Sequence, residues 1–403
     1  MSLFVQKFGG TSVGSKEAII RSASIITKWS KKYKVVAVLS AMSGETDRLI
    51  GLTKLFSKNP NPYDYDNAIS SGENVSCSLM SIYLNSTKIR SKSLMSWQIP
   101  ILTSEEHMKS RILKIDRNKI LKEFSKNDVL LIPGFQGINS KNEITTLGRG
   151  GSDTSAVAVA ASLDAECIIY TDVDGVYTTD PRISPGAKKI DQITTEEMLE
   201  LSSQGSKVLQ PRAVEFAGKY DIGIRVLSTF EEGTGTLIKK ENDDNMEKAI
   251  ISGIAFNQDE AQLNIRGVPD QPGIASLILG PIADLNIDVD MIVQNVGEDG
   301  LANFTFTVPR NDYKVAMQSL ERSAKKLKAK KVKGNNEIVK ISMVGVGMRT
   351  HAGIASKMFS VLAKNNINIS MISTSEIKIS VVTNEDNLET AVNVLHKEFN
   401  LDK

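Results

Sequence analysis

Nine residues recur in register eighty positions apart. Gly273, Ile274, Ala275, Ser276, Ala283, Asn286, Ile287, Met291 and Ile292 return as Gly353, Ile354, Ala355, Ser356, Ala363, Asn366, Ile367, Met371 and Ile372. No gap is needed to align them. Each copy reads as strand, glycine turn, helix and second strand, which is half of a small α+β unit. Two tandem copies make a module of their own, distinct from what precedes them.

The preceding sequence has another rhythm. Leu3–Phe8 reads as a strand, residues 16–33 as a helix, and KVVAVLS (34–40) as a continuous apolar strand. VLLIP (129–133), an Ala-rich helix over 155–163 and CIIY (167–170) follow. Continuous apolar strands separated by helices predict a mainly parallel α/β sheet with helices on both faces. Such sheets bind ligands at the carboxyl ends of their strands. Glycine-rich turns follow three of these strands, where a single site would need them. EEGTGTLIKKENDDNME (231–247) is the linker candidate, and SAKKLKAKKVK (323–333) reads as a solvated helix face running into a linker.

Composition narrows the partners. Forty-nine basic residues face 47 acidic ones, so charge does not demand a nucleic-acid or membrane partner. Cys77 and Cys167 have no metal-ligand spacing and sit among apolar neighbours, which predicts buried, inert thiols. The start, MSLFVQKFGG, has no long apolar stretch, and no run approaches the roughly 18 residues of a membrane span. The expectation is a cytoplasmic protein.

VQKFGGTSVGSK (5–16) has glycines spaced as in a Walker A loop, but Ser15 and Lys16 stand in the reverse order. Its residues alone fit a damaged P-loop, a tight turn or another phosphate device. Lys7 ends the first strand, and Gly9 and Gly10 let backbone N–H groups converge on an anion. TTLGRGGSDTSA (145–156) sets Arg149 among three glycines before a helix. Ser152 or Asp153 fits a helix N-cap, while the guanidinium fork suits a carboxylate or phosphate. In TDVDGVYTTDPR (171–182) the calcium-loop spacing is absent, and the tyrosine and arginine suit a nucleotide. SAMSGETD (40–47) offers the hydroxyls of Ser40 and Thr46, and SSGE (70–73) a carboxylate. A small zwitterion needs an acid for its ammonium and an arginine for its carboxylate, a pair that Glu73 and Arg149 supply. The histidines, His107, His351 and His396, are scattered and read as structural or solvent-facing.

KFGGTSVG, VVAVLSAMSGETD, SSGE, PGFQG, TTLGRGGSDTSAVA, YTDVDGVYTTDPR and GSKVLQPRAVEFA, in this order, resemble the aspartate kinases of the amino-acid kinase family. The repeats resemble their paired ACT regulatory domains. The resemblance runs nearly end to end. It implies an amino-acid kinase fold over residues 1–245, with an eight-stranded sheet, then ferredoxin-like ACT domains over 250–334 and 335–403 that exchange strands. It implies transfer of the γ-phosphate of Mg-ATP to the side-chain carboxylate of L-aspartate, opening the route to lysine, methionine and threonine.

By the same resemblance, Lys7, Gly9 and Gly10 are the phosphate-binding lysine and glycine pair, so the first loop is a phosphate cradle with its lysine ahead of the glycines. Asp153 is the catalytic aspartate, beside Arg149. Ser40, Thr46, Glu73, Arg149, Gly150 and Ser152 match the aspartate pocket. Thr171, Asp172, Tyr177, Asp180, Arg182 and Lys207 match the nucleotide side, with magnesium carried by ATP and held by no direct protein ligand. Asp270, Gly273, Ile274, Ala275 and Gln294 match one half of an effector site; Asn368, Met371, Ser375 and Glu376 match the other. The short GEDG loop (297–300) and Ala355 leave the effector open among threonine, lysine, both or none. A homodimer or larger homo-oligomer through the ACT domains is implied, and whether a separate regulatory subunit starts at Met246 is left open by the sequence.

Glutamate and acetylglutamate kinases usually lack tandem ACT repeats. A non-catalytic amino-acid sensor would not need Lys7, Arg149 and Asp153 together. A dinucleotide-dependent dehydrogenase needs G-x-G-x-x-G after the first strand, which is missing.

Overall fold

The computed structural model describes residues 2–240, 251–298 and 300–403, and in it the apolar runs become neighbouring strands. β1 (Leu3–Phe8), α1 (Lys16–Ser30), β2 (Lys34–Leu39), α2 (Glu45–Phe56), α3 (Pro62–Ile69) and α4 (Ser71–Ser86) come first. β3 (Ser91–Ser93), β4 (Ile101–Thr103), β5 (Ile112–Ile115), α5 (Arg117–Glu123), β6 (Val129–Pro133), β7 (Gln136–Ile138) and β8 (Ile144–Thr146) follow. Then come α6 (Gly151–Leu163), β9 (Glu166–Thr171), β10 (Gln192–Thr194), α7 (Thr195–Ser203), α8 (Pro211–Tyr220), β11 (Ile224–Ser228) and β12 (Thr236–Lys239).

Among the described residues an eight-stranded sheet runs β10-β12-β11-β9-β1-β2-β6-β3, parallel except between β11 and β12. Val35 to Leu39 and Val129 to Ile132 are wholly buried, as strands covered on both faces must be. A small sheet, β5-β4-β7-β8, lies apart from it in the same unit. Two sequence expectations change. α6 begins at Gly151, four residues before the Ala-rich run, because its first turn is buried too. The linker candidate contains a strand: in β12, Thr236 and Ile238 are buried while Leu237 and Lys239 are half-exposed, the period of a sheet strand. Residues 241–247 of the candidate, with Met246, lie outside the described residues.

The second unit takes β13 (Gly253–Asn257), β14 (Ala261–Pro269), α9 (Ile274–Ala283), β15 (Ile292–Val296), β16 (Leu301–Val308), α10 (Tyr313–Lys326) and β17 (Lys331–Asn335). β18 (Ile338–Val344), α11 (Ile354–Lys364), β19 (Met371–Thr374), β20 (Lys378–Asn384) and α12 (Leu388–Glu398) complete it. One sheet runs β15-β16-β14-β17 and the other β13-β18-β20-β19. β13 precedes the first repeat in the chain yet pairs antiparallel with β18 of the second. The repeated residues have backbone reasons. Gly273 and Gly353 cap α9 and α11 at φ +91° and +89°, and Asn286 and Asn366 both stand at φ 56°, left-handed conformations that other side chains resist. The charge run is no linker: α10 ends at Lys326, and Lys331–Asn335 forms β17 at the edge of the first sheet.

Thr178–Lys188 and Gln204–Ser206 pack with this second unit. Thr178 Oγ1 lies 2.8 Å from His396 Nε2, and Asn393 Nδ2 donates to the Ile183 carbonyl at 3.1 Å. No helix among the described residues is long and apolar enough to cross a membrane.

Candidate active site

β9, β1, β2 and β6 are consecutive and parallel, so their carboxyl ends open on one edge of the sheet. Lys7 is the penultimate residue of β1, in register with Val38 and Ile169. Its Nζ lies 2.6 Å from Asp153 Oδ1, with both side chains about one-tenth exposed. Asp153 sits in the first turn of α6, where helix N-terminal amides favour a negative charge. Neither it nor Ser152 is the N-cap. That position belongs to Gly150 at φ +69°, where a Cβ would also collide with Gln210.

Gly9 and Gly10 leave space over the lysine. A Cβ on Gly9 would stand 3.4 Å from Lys7 Nζ, and one on Gly10 3.1 Å from the Ala41 carbonyl. Any side chain there would crowd what the lysine and the loop backbone can hold.

Glu73 lies in the first turn of α4, not in a loop, and is buried. Its Oε1 accepts the Ala41 N–H at 3.2 Å, while Oε2 is buried with no hydrogen-bond partner among the described residues. Burial pushes its carboxyl up to about 7. A carboxylate in this state lacks a cation. Ser40, directly after β2, and Thr46, in the first turn of α2, are half-buried near the same strand end. Arg149 is exposed, and its side chain makes no hydrogen bond or ion pair among the described residues.

The nucleotide-side stretch divides. Thr171 donates to Asp172 at 3.1 Å, and the Tyr177 hydroxyl donates to Asp174, which Lys189 also reaches at 3.0 Å. Asp180 and Arg182 belong to the second unit, where the guanidinium forks onto the Asp180 carboxylate. Lys207 is exposed. Among the effector candidates, Asp270, Gly273, Ile274 and Ala275 surround the start of α9, and Gln294 is exposed on β15. The Ile274 and Met371 side chains are buried, so both offer a ligand only backbone. The Asn368 carbonyl accepts from Thr383, Ser375 N–H donates to the Lys378 carbonyl, and Glu376 lies 3.4 Å from Arg349 Nε. Asp299 of the GEDG loop lies outside the described residues.

Both cysteines are buried, as expected. Sequence reasoning passed over Asp66, fully buried on α3, and Arg212 on α8. Their partners are 41 to 102 positions away, and no local pattern announces them. No three His, Cys, Asp or Glu side chains among the described residues converge to hold a metal.

A parallel sheet, a lysine–aspartate pair at its open edge and two α+β repeats define a kinase-type catalytic unit joined to a ligand-binding tandem. Residues 2–228 match the amino acid kinase family, and residues 261–324 and 341–399 each match the ACT domain. An aspartate kinase of Pseudomonas fluorescens is 56% identical over 406 residues, covering 100% of this chain and 98% of that protein. An aspartokinase of Helicobacter pylori is 46% identical, with 100% of both covered. The crystal structure of E. coli aspartokinase III in complex with aspartate and ADP has the same fold, with a TM-score of 0.80 at 23% identity over 98% of this chain and 99% of that one. The chain belongs to the aspartate kinase family.

Proposed function

We propose that this chain transfers the γ-phosphate of ATP to the side-chain carboxylate of L-aspartate, giving 4-phospho-L-aspartate and ADP. This is the first step toward lysine, threonine and methionine. The observation that carries the proposal is the Lys7–Asp153 pair beneath a glycine turn at the end of β1. Phosphoryl transfer needs positioning and charge neutralisation more than covalent help. Lys7 sets a positive charge where the γ-phosphate lies, and Asp153 holds that ammonium in place. The aspartate nucleophile has a reference pKa of about 4, so it arrives ionised and needs no general base. One carboxylate oxygen attacks the γ-phosphorus as its bond to the bridging β,γ-oxygen breaks, and ADP leaves with that electron pair. Glu73 Oε2 takes the substrate ammonium, Arg149 a carboxylate, and Ser40, Thr46, Gly150 and Ser152 line the pocket.

Thr171, Asp172, Tyr177 and Lys207 serve the nucleotide. Magnesium enters on the ATP phosphates and spreads their charge. The single carboxylate at the cradle, already paired with Lys7, fits a metal brought by the nucleotide. ATP and aspartate are cytoplasmic pools, which puts the reaction there. Threonine, lysine or both act as feedback inhibitors at the ACT repeats. Exposed Ile292, Val293 and Val296 on the edge strand β15 support pairing of copies through these repeats into a homo-oligomer.

The test is ADP release with Mg-ATP and L-aspartate, alone and with lysine or threonine. Aspartate-dependent turnover abolished by Asp153→Ala supports the site. Turnover without aspartate dependence sinks the substrate assignment, and indifference to both effectors sinks the inhibitors.

A further inference from the structure

Asp66 has no place in the chemistry above, yet its carboxylate is fully buried. Both its oxygens are occupied. Oδ1 accepts the Thr146 hydroxyl at 2.6 Å. Oδ2 meets the Thr146 N–H at 3.0 Å, the Met108 N–H at 2.9 Å and His107 Nδ1 at 2.9 Å. Burying a carboxylate is costly unless hydrogen bonds satisfy it, and here two chain segments supply every one.

Those segments flank the arginine loop. Thr146 ends β8, three residues before Arg149. The Thr146 carbonyl accepts from both the N–H and the hydroxyl of Ser110, at 2.9 and 3.0 Å. The next carbonyl, of Leu147, takes Arg212 Nη1 at 2.7 Å, while Nη2 of the same guanidinium holds the Ser110 carbonyl at 2.8 Å. The Leu147 N–H donates to the Phe135 carbonyl at 2.9 Å. Beyond this anchor, Gly148 and Gly150 stand at φ +78° and +69°, and the Gly151 N–H closes back onto the Gly148 carbonyl at 3.1 Å. Gly148 also packs beside the Met108 carbonyl. Among the described residues Arg149 has no side-chain partner, so its placement is inherited from the backbone on either side.

We infer that Asp66 is a positioning residue for Arg149: through Thr146 and the 107–108 segment it fixes the loop that presents the guanidinium to the substrate carboxylate. This rests on the assignment of Arg149 to the aspartate pocket. A role in substrate placement differs from a role in folding, because it acts on aspartate and spares ATP.

The experiment uses the full chain with Mg-ATP and L-aspartate, measuring kcat and both KM values for Thr146→Val, Thr146→Ser, Asp66→Asn, Arg149→Ala and the Arg149→Ala double variants. Thr146→Val removes only the 2.6 Å hydroxyl bond and should raise KM for aspartate about tenfold, the scale of a charge-assisted hydrogen bond, with KM for ATP unchanged. Asp66→Asn should do the same or more, and Thr146→Ser should restore wild-type behaviour. In the Arg149→Ala background neither change should raise KM for aspartate further, since effects that share one route do not add. If Arg149→Ala raises KM for aspartate while Thr146→Val and Asp66→Asn leave it alone, or if their effects add fully to it, the inference is wrong. If Arg149→Ala leaves KM for aspartate unchanged, the pocket assignment itself fails. Should Asp66→Asn not fold, Thr146→Val and Thr146→Ser carry the test alone.

Discussion

Each unit buries a lysine among carboxylates, and the surroundings separate their uses. Lys7, with 11% of its side chain exposed, meets one carboxylate under two glycines. Lys340 on β18, with 3% exposed, meets two: Glu260 at 3.0 Å, and Asp290. Burial opposes the charge on Lys340, but Glu260 and Asp290 outweigh it and hold its pKa above the ordinary value. Burial raises Glu260, while on Asp290 burial is outweighed by Lys340, which leaves it lowered. The second cluster is over-neutralised, with Lys340 and Glu260 buried and Asp290 half-exposed. The first is balanced, and the space beside it has been cleared of Cβ atoms. A buried cation takes an incoming phosphate only where its countercharge is not in excess and its surroundings are open.

The largest test of this contrast is Lys7→Met against Lys340→Met. Lys7→Met should lower kcat by about a thousandfold, as removal of a preorganised charge at a reacting group does. Lys340→Met should leave kcat within about threefold, because its cluster belongs to the second unit and includes none of the residues assigned to the reaction. A comparable kcat loss in both would erase the distinction. The second expectation is stability: Lys340→Met strands Glu260 and should cost about 3 kcal/mol in urea unfolding at pH 8. The cost should shrink at pH 6, where the stranded carboxyl protonates more readily. A pH-independent loss would mean that packing, not charge, is what Lys340 supplies.

Glu73 sharpens the comparison within the first unit. Its carboxyl stands at about 7 because burial disfavours the ion. Only the ionised form takes an ammonium, so KM for aspartate should fall roughly tenfold from pH 6 to pH 8 and then level off. Glu73→Gln should flatten that profile. A profile unchanged in Glu73→Gln would assign the titration to another group. The smallest effect concerns the repeats: Gly273→Ala and Gly353→Ala each place a Cβ in open space at a left-handed φ, costing about 1–2 kcal/mol. Equal costs would mean the two turns are equivalent; a much larger one at either would reveal a role beyond backbone conformation.

Much of the site was legible because its signals are local. Lys7 lies at the end of an apolar strand that Gly9 and Gly10 follow directly, and Gly148, Arg149 and Gly150 precede a helix, so strand ends and helix starts could be read from neighbours a few positions away. The eighty-residue repeat was legible because left-handed positions admit few residues, so glycine and asparagine had to recur. Where local signals ran out, errors followed. The end of the charge run 323–333 looked like a linker because an edge strand such as β17 can carry lysines on its open side. Asp66, in YDYDNA, carries no local signal, since its partners lie at 107, 108 and 146.

Sequence alone determined the order of elements, the tandem module and the residue types that phosphoryl transfer needs, because period, turn chemistry and charge are properties of short windows. Tertiary structure alone decided that Lys7 meets Asp153 across 146 positions, that β13 pairs with β18 rather than with its chain neighbour, and that Glu73 keeps one oxygen without a partner among the described residues. Each of these depends on which distant groups burial brings together, and on the water removed from between them, and no short window of sequence holds that information.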